Sequence, residues 1–137
     1  MTKELFDFMK HLDIQSAEVQ LALRCAPLLA GLKCANLLIL RKGQSCRIRH
    51  FVIHTNISGY LFYQSKEQEF LLLYRAGELE AHLSQPEAGR ILGRMGYPDQ
   101  SLCGLLDTFG KRYRAYRMGQ GSFPHEMGLF LGYPPED

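Results

Sequence analysis

The chain has 137 residues, of which 46% are hydrophobic and 22% are charged, and its formal net charge is +2. These fractions are typical of a globular protein, because they are too apolar for intrinsic disorder and too evenly charged for a membrane protein. A net charge this small gives no reason to expect a nucleic-acid or membrane partner. The N-terminus lacks the apolar stretch of a secretory signal, so we expect one cytoplasmic domain over residues 1–137.

Two amphipathic helices are predicted at the start of the chain. Apolar residues recur there with the spacing of a single helix face, first at Leu5, Phe8, Met9 and Leu12 and then at Val19, Ala22, Leu23 and Ala26. Asp13 or Ser16 is expected to begin the second helix, and Pro27 to limit it.

Three strands are predicted in the centre of the chain. Residues 36–40, 60–64 and 69–75 are short apolar and aromatic runs that polar turns separate. A short polar connection joins the last two runs, which favours an antiparallel hairpin. Residues 47–55 fit either periodicity, because Ile48, Phe51 and Val52 share a helix face while β-branched residues favour a strand; we favour a helix.

Helices are predicted again after the sheet. Ser84 and Glu87 form the pattern of a capping box, apolar residues follow at positions 88, 91, 92 and 95, and Gly96 ends this helix. Asp99 is expected to cap a longer helix with an apolar stripe at positions 102, 105, 106, 109, 113 and 116. After two glycines, Ser122 and Pro124 are expected to begin a short helix with inward residues Phe123, Met127, Phe130 and Leu131.

Together these elements predict an α+β fold, with a small antiparallel sheet and helices before and after it that cover one face. Six residues on the periodic apolar stripes are expected in the core: Leu23, Leu72, Leu92, Leu105, Phe109 and Phe130.

The strongest candidate for a functional site is His125-Glu126, which joins an imidazole and a carboxylate directly after a glycine-rich loop. At an exposed first helical turn, the positive helix end favours an ionised glutamate and a neutral histidine, which suits a base or a ligand. We expect both side chains to line a solvent-reachable concavity, and their replacement by Ala to leave folding nearly intact. A structural role is the alternative, since Pro124 and Glu126 also favour helix starts.

Other ionisable clusters give weaker signals. His50 and His54 share a face, but no third ligand accompanies them, so no metal site is predicted. The basic residues Lys111, Arg112, Arg114 and Arg117 lie near a helix C-terminus, where they complement the helix dipole, so nucleic-acid binding is not predicted. The four cysteines form no Cys-x-x-Cys pair and are expected to be free thiols.

Three segments carry a family resemblance: Cys25-Ala26-Pro27 with residues 28–33, the strand end Leu73-Tyr74-Arg75 leading to Gly96-Tyr97-Pro98, and residues 123–134 with their Pro-His-Glu and Leu-Gly-Tyr-Pro motifs. Through them the chain resembles an uncharacterised bacterial family of domains of unknown function, common in anaerobes. The resemblance implies a redox or iron-linked setting, from gene neighbourhoods with flavodoxins and iron-uptake genes, and identifies no cofactor. Family members often have His at the position of Arg24 and Thr at that of Leu28. If that histidine is a ligand or catalytic group in the family, this chain lacks it.

Two functions fit these observations. The first is a ligand- or cofactor-handling protein, enzymatic or not, with His125, Glu126 and Cys25 as its catalytic or binding residues and a small molecule as its partner. The alternative is a non-enzymatic interaction or regulatory module that binds a partner protein. A pocket that brings Cys25 and His125 together favours the first, and an exposed apolar patch without a pocket favours the second.

The Gly96-Tyr97-Pro98 motif recurs as Gly132-Tyr133-Pro134. In each copy the glycine is expected to take a left-handed conformation at a helix end, and the proline to stop the helix. Residues 135–137 suit a first helical turn, and family members continue past this motif. We therefore expect that a C-terminal helix is missing, and that an apolar patch is uncovered near Phe130 and Tyr133.

Overall fold

A computed structural model describes residues 17–135. The helix predicted over residues 5–12 lies outside the described residues. The elements are helices α1 (Ala17–Arg24) and α2 (Ala26–Leu29), strand β1 (Ala35–Arg41), helix α3 (Gln44–Val52), strands β2 (Ile57–Gln64) and β3 (Gln68–Arg75), and helices α4 (Ala76–Leu83), α5 (Pro86–Arg94), α6 (Leu102–Arg117) and α7 (Met127–Phe130). Within the described range, no helix combines the length and the hydropathy needed to cross a membrane.

The three strands form one antiparallel sheet in the order β1-β3-β2. All three predicted strands, the hairpin of β2 and β3, and the helix favoured over residues 47–55 are confirmed. The predicted α+β class with helices before and after the sheet is therefore confirmed as well.

Strand β3 explains why both faces of the sheet are covered, rather than the one face that was predicted. It lies in the centre, and its residues from Glu69 to Leu73 are all buried. Phe70 and Leu72 point to one face, while Leu71 and Leu73 point to the other. A central strand with an unbroken apolar run needs packing partners on both sides.

The two faces belong to two hydrophobic cores. The N-terminal core contains buried residues of α2 and α3 against one face of the sheet: Cys25, Leu28, Leu38, Leu40, Ile48, Val52, Ile57, Leu71 and Leu73. The C-terminal core packs α4 to α7 against the other face, with residues that include Phe62, Leu79, Leu92, Leu105, Phe109 and Phe130. Of the six predicted core residues, all except Leu23 are buried.

Leu23 is 51% exposed, so its predicted place in the core is wrong. Leu21 and Cys25 of the same segment pack on the N-terminal core. A residue two positions from each of them in a helix points to the opposite side. This segment therefore has a buried apolar side, as its spacing predicted, but Leu21 and Cys25 form that side and Leu23 does not.

The helix ends in the second half of the chain also differ from their prediction. Ser84 is the C-cap of α4, a helix that the sequence analysis missed, and Gln85 precedes α5 without a side-chain capping bond. The N-cap of α6 is Ser101, whose hydroxyl accepts a hydrogen bond from the Gly104 N–H. Asp99 instead accepts a 2.8 Å bond from the Ser101 N–H, so it supports the capping residue. Helix α7 begins at Met127, later than the predicted start.

Candidate functional site

A surface cleft of 620 Å³ lies between α5 and the C-terminal segment of residues 125–135. Helix α5 contributes one wall, and the segment with the Pro-His-Glu and Leu-Gly-Tyr-Pro motifs contributes the other. The lining residues are Ile91, Arg94, Met95, His125, Glu126, Gly128, Leu129, Tyr133, Pro134 and Pro135. Both residues of the strongest sequence candidate therefore line one concavity.

Glu126 is buried, which corrects the expectation of an exposed first turn. It is only 2% exposed, and it precedes α7 without capping that helix. The Tyr97 hydroxyl donates a 2.7 Å hydrogen bond to its Oε2 atom. The Arg112 guanidinium donates from Nε to the same oxygen and from Nη2 to Oε1 at 3.4 Å. The carboxylate thus joins the turn after α5, helix α6 and the start of α7.

The protonation states of Tyr97 and Arg112 favour their hydrogen bonds to the Glu126 carboxylate. Burial, followed by the hydrogen bond to the Glu126 carboxylate, raises the pKa of Tyr97. The hydrogen bond to Glu126 is also the main cause that raises the pKa of Arg112. Near neutral pH the tyrosine is therefore a donor and the arginine is charged. The carboxylate is compensated within the protein, so its charge is not available to a ligand.

His125 differs from its neighbour because it is exposed at the rim of the cleft. Its ring packs edge-on against Phe123 with 5.5 Å between the ring centres, and Phe123 in turn contacts Tyr116 of α6. Among the described residues, none forms a hydrogen bond or ion pair with the imidazole. The ring is held by aromatic contacts, and neither of its nitrogens has a polar partner among the described residues.

Arg94 is a cleft residue that the sequence analysis did not single out. It ends α5, lies exposed, and has neither an ion pair nor a hydrogen bond within residues 17–135. Its position three residues after Ile91 was the available signal, because residues with that spacing share a helix face. Arg94 is therefore a cation on the wall of the cleft that has no acidic partner among the described residues.

The two Gly-Tyr-Pro motifs have the same backbone geometry. Gly96 and Gly132 take positive φ angles of 85° and 86°, as the sequence predicts. In each copy the tyrosine N–H bonds the carbonyl five residues earlier, the long bond of a Schellman motif: Tyr97 to Leu92 and Tyr133 to Gly128. The repeat thus ends two helices in the same way.

The two tyrosines nevertheless have different surroundings. Tyr97 is buried and stacks on Phe130, which is itself fully buried, so Phe130 is not part of the uncovered patch that was expected. Tyr133 is 51% exposed and forms a wall of the cleft. His82 bonds its carbonyl at 2.8 Å, and the Lys33 ammonium lies 4.5 Å from the centre of its ring. These contacts hold the wall in place.

Cys25 lies in the N-terminal core and does not line the cleft, so the structure does not bring it together with His125. It is fully buried, accepts a 3.2 Å hydrogen bond from the Asn36 side chain, and has a pKa that burial raises. Arg75 donates a 2.8 Å bond to the Leu28 carbonyl, which ties this motif to the end of β3. These contacts are typical of a packing cysteine rather than a reactive one.

The remaining sequence candidates lie outside the cleft. His50 and His54 are exposed, and the described residues contain no group of three or more His, Cys, Asp or Glu side chains that suits a metal ion. The basic residues of α6 contact protein groups: Lys111 pairs with Asp107, Arg112 with Glu126, Arg114 donates to the Phe62 carbonyl, and Arg117 lies over the Tyr63 ring.

The fold and the cleft define a small α+β domain with a surface cavity of ligand size. Residues 21–137 match the model of a family described as "Protein of unknown function (DUF3793)", and the chain belongs to this family. The match includes all three motif segments and every residue of the cleft. The predicted membership of an uncharacterised domain family is confirmed, while its link to bacteria and anaerobes stays a prediction. No curated protein and no solved structure matches the chain significantly.

Proposed function

We propose that this domain binds a small, largely apolar molecule in the cleft between α5 and residues 125–135. The observation that carries the proposal is the cleft itself. Its volume of 620 Å³ falls in the range of about 300–1,000 Å³ that small-molecule sites occupy. Such sites combine apolar walls with a few polar groups that orient the ligand. Here Ile91, Met95 and Leu129 supply apolar wall, and Arg94 and His125 supply polar groups.

The surroundings of the ionisable residues support binding rather than acid–base or nucleophilic catalysis. The Glu126 carboxylate already accepts hydrogen bonds from Tyr97 and Arg112. Cys25 is buried in the other core. Of the three residues predicted to carry chemistry, His125 is the one whose side chain is exposed at the cleft. We assign it to ligand recognition.

A redox or iron-linked role is a more specific form of this proposal, and it depends on the family resemblance alone. Protein purified without oxygen tests it through its absorption spectrum and its iron content. A flavin or haem spectrum, or stoichiometric iron, supports the specific form; a colourless, iron-free protein contradicts it and leaves the binding proposal intact.

Gly128 offers a direct way to block the cleft. It lines the cavity, and a Cβ atom placed there meets nothing within 4 Å, so a larger side chain enters open space. Gly77 of α4 is a matched control, because its Cβ position is equally open and it does not line the cleft. Replacing a helical glycine also removes an entropic cost, so neither Gly128→Leu nor Gly77→Leu is expected to destabilise the fold.

The probe is N-phenylnaphthylamine, an uncharged apolar dye whose fluorescence rises when it leaves water. We expect saturable binding to the wild type and to Gly77→Leu, and loss of binding in Gly128→Leu with an unchanged melting temperature. Equal binding by all three proteins contradicts the proposal. The absence of saturable binding to the wild type also contradicts it, and favours the alternative of a protein-interaction module.

A further inference from the structure

We infer that the ligand of this cleft is an amphipathic organic anion, with its acidic group on Arg94 and its apolar body against Ile91, Met95 and Leu129. This inference rests on the proposed function and specifies the chemistry of the ligand.

The charge that the described lining residues present to a ligand is positive. The described lining residues include one carboxylate, that of Glu126, which pairs with Arg112. Arg94 has no acidic partner among the described residues. A negative group that contacts these described lining residues therefore meets net positive charge.

The donor geometry also favours an acidic group. A guanidinium presents its N–H groups as a planar fork, which matches the two oxygens of a carboxylate, and bonds between ionised partners are stronger than neutral ones. The imidazole of His125 adds an N–H donor on the opposite wall, in either protonation state. A cationic ligand finds no free carboxylate among the described cleft residues.

The apolar walls determine the chemistry expected at the other end of the ligand. Ile91 lies one turn before Arg94 on α5, and Met95 follows Arg94 directly, so both border the arginine. Leu129 of α7 lines the same cavity from the other side. A molecule that contacts both sets of groups needs an apolar body and one terminal negative charge.

Two dyes with a similar apolar body test this inference. Anilinonaphthalene sulfonate carries a negative charge, and N-phenylnaphthylamine carries none. We expect the wild type to bind the sulfonate more tightly than the neutral dye. Arg94→Gln is expected to weaken sulfonate binding by about tenfold, in line with the loss of a hydrogen bond between charged groups, and to leave binding of the neutral dye unchanged. Arg94→Lys, which keeps the charge, is expected to retain most of the affinity for the sulfonate.

Arg90→Gln is the matched control. Arg90 lies on the same helix, is also exposed, and does not line the cleft, so its replacement changes the net charge equally. The inference is overturned, with the proposed function intact, when the neutral dye binds as tightly as the sulfonate or when Arg90→Gln has the same effect as Arg94→Gln. Failure of both dyes to bind the wild type, or unchanged binding of both by Gly128→Leu, overturns the proposed function as well.

Discussion

Tyr97 donates a 2.7 Å hydrogen bond to the carboxylate of Glu126, a residue 29 positions further along the chain. Glu126 belongs to the motif that the sequence marks as a functional site, and Tyr97 belongs to the first Gly-Tyr-Pro motif. The bond shows that the two motifs form one structural unit, with Arg112 as its third member. Glu126 therefore stabilises the wall of the cleft, whereas its neighbour His125 faces solvent.

This division of roles predicts different effects on stability. Glu126→Ala leaves the Tyr97 hydroxyl and the Arg112 guanidinium without their acceptor, and we expect it to lower the free energy of unfolding by about 2–3 kcal/mol. Because Arg112 is partly exposed, water can hydrate its guanidinium after the substitution, so the loss of unfolding free energy stays below that of a fully buried pair. His125→Ala is expected to change stability by no more than about 0.5 kcal/mol. Urea denaturation measures both; equal losses would contradict the assignment.

Because Tyr97 is buried, we expect the free energy of unfolding to depend on pH in the alkaline range. Burial and the Glu126 carboxylate raise the pKa of Tyr97 above its usual value of 10.0. The unfolded chain then releases this proton near pH 10 while the folded protein keeps it. The contribution of Tyr97 is therefore complete below about pH 10 and declines as the pH rises further.

Tyr97→Phe has no proton to release at this position, so we expect a shallower decline of unfolding free energy between about pH 10 and pH 11. Some decline is expected to remain, because burial also raises the pKa of Tyr74 and Tyr113. Urea denaturation of both proteins across this range measures the two slopes. Identical slopes would show that Tyr97 titrates alike in the folded and unfolded states.

Cysteine reactivity is predicted to follow burial. Cys46 and Cys103 are exposed, whereas Cys25 is fully buried with a pKa that burial raises. Because thiolates react and buried thiols resist ionisation, a thiol reagent is expected to modify Cys46 and Cys103 in the folded protein and Cys25 only after unfolding. Peptide mass mapping after timed labelling identifies the sites. Rapid labelling of Cys25 in the folded protein would contradict this prediction and indicate a reactive thiol.

Periodicity in the sequence was sufficient to predict the sheet and most helices. The apolar runs that became β1 and β3 and the stripe of α6 are local signals, and each element formed where its signal lay. Helix α4 was missed because it buries only Leu79 and Leu83, which is too few for a periodic pattern. Leu23 was misplaced because spacing shows that a helix has an apolar side, but not which way tertiary packing turns it.

The candidate site was predictable in its location but not in its chemistry. The pattern of a glycine-rich loop followed by a predicted helix start placed His125 and Glu126 on one concavity, although the helix begins later than predicted, at Met127. The burial of Glu126 depends on Tyr97 and Arg112, which lie 29 and 14 residues away, and no local pattern encodes those contacts. The same limit applies to Arg94, because its place on the wall of a cleft depends on the distant segment that forms the other wall.

The most direct test of the cleft as a binding site is a methyl NMR titration of the full chain with N-phenylnaphthylamine. We expect saturable shifts at Ile91, Met95 and Leu129, which line the cleft. Leu32 and Ile53 are exposed apolar residues that do not line the cleft and serve as internal controls. Shifts confined to these control methyl groups, with the cleft signals unchanged, would contradict binding of the dye in the cleft.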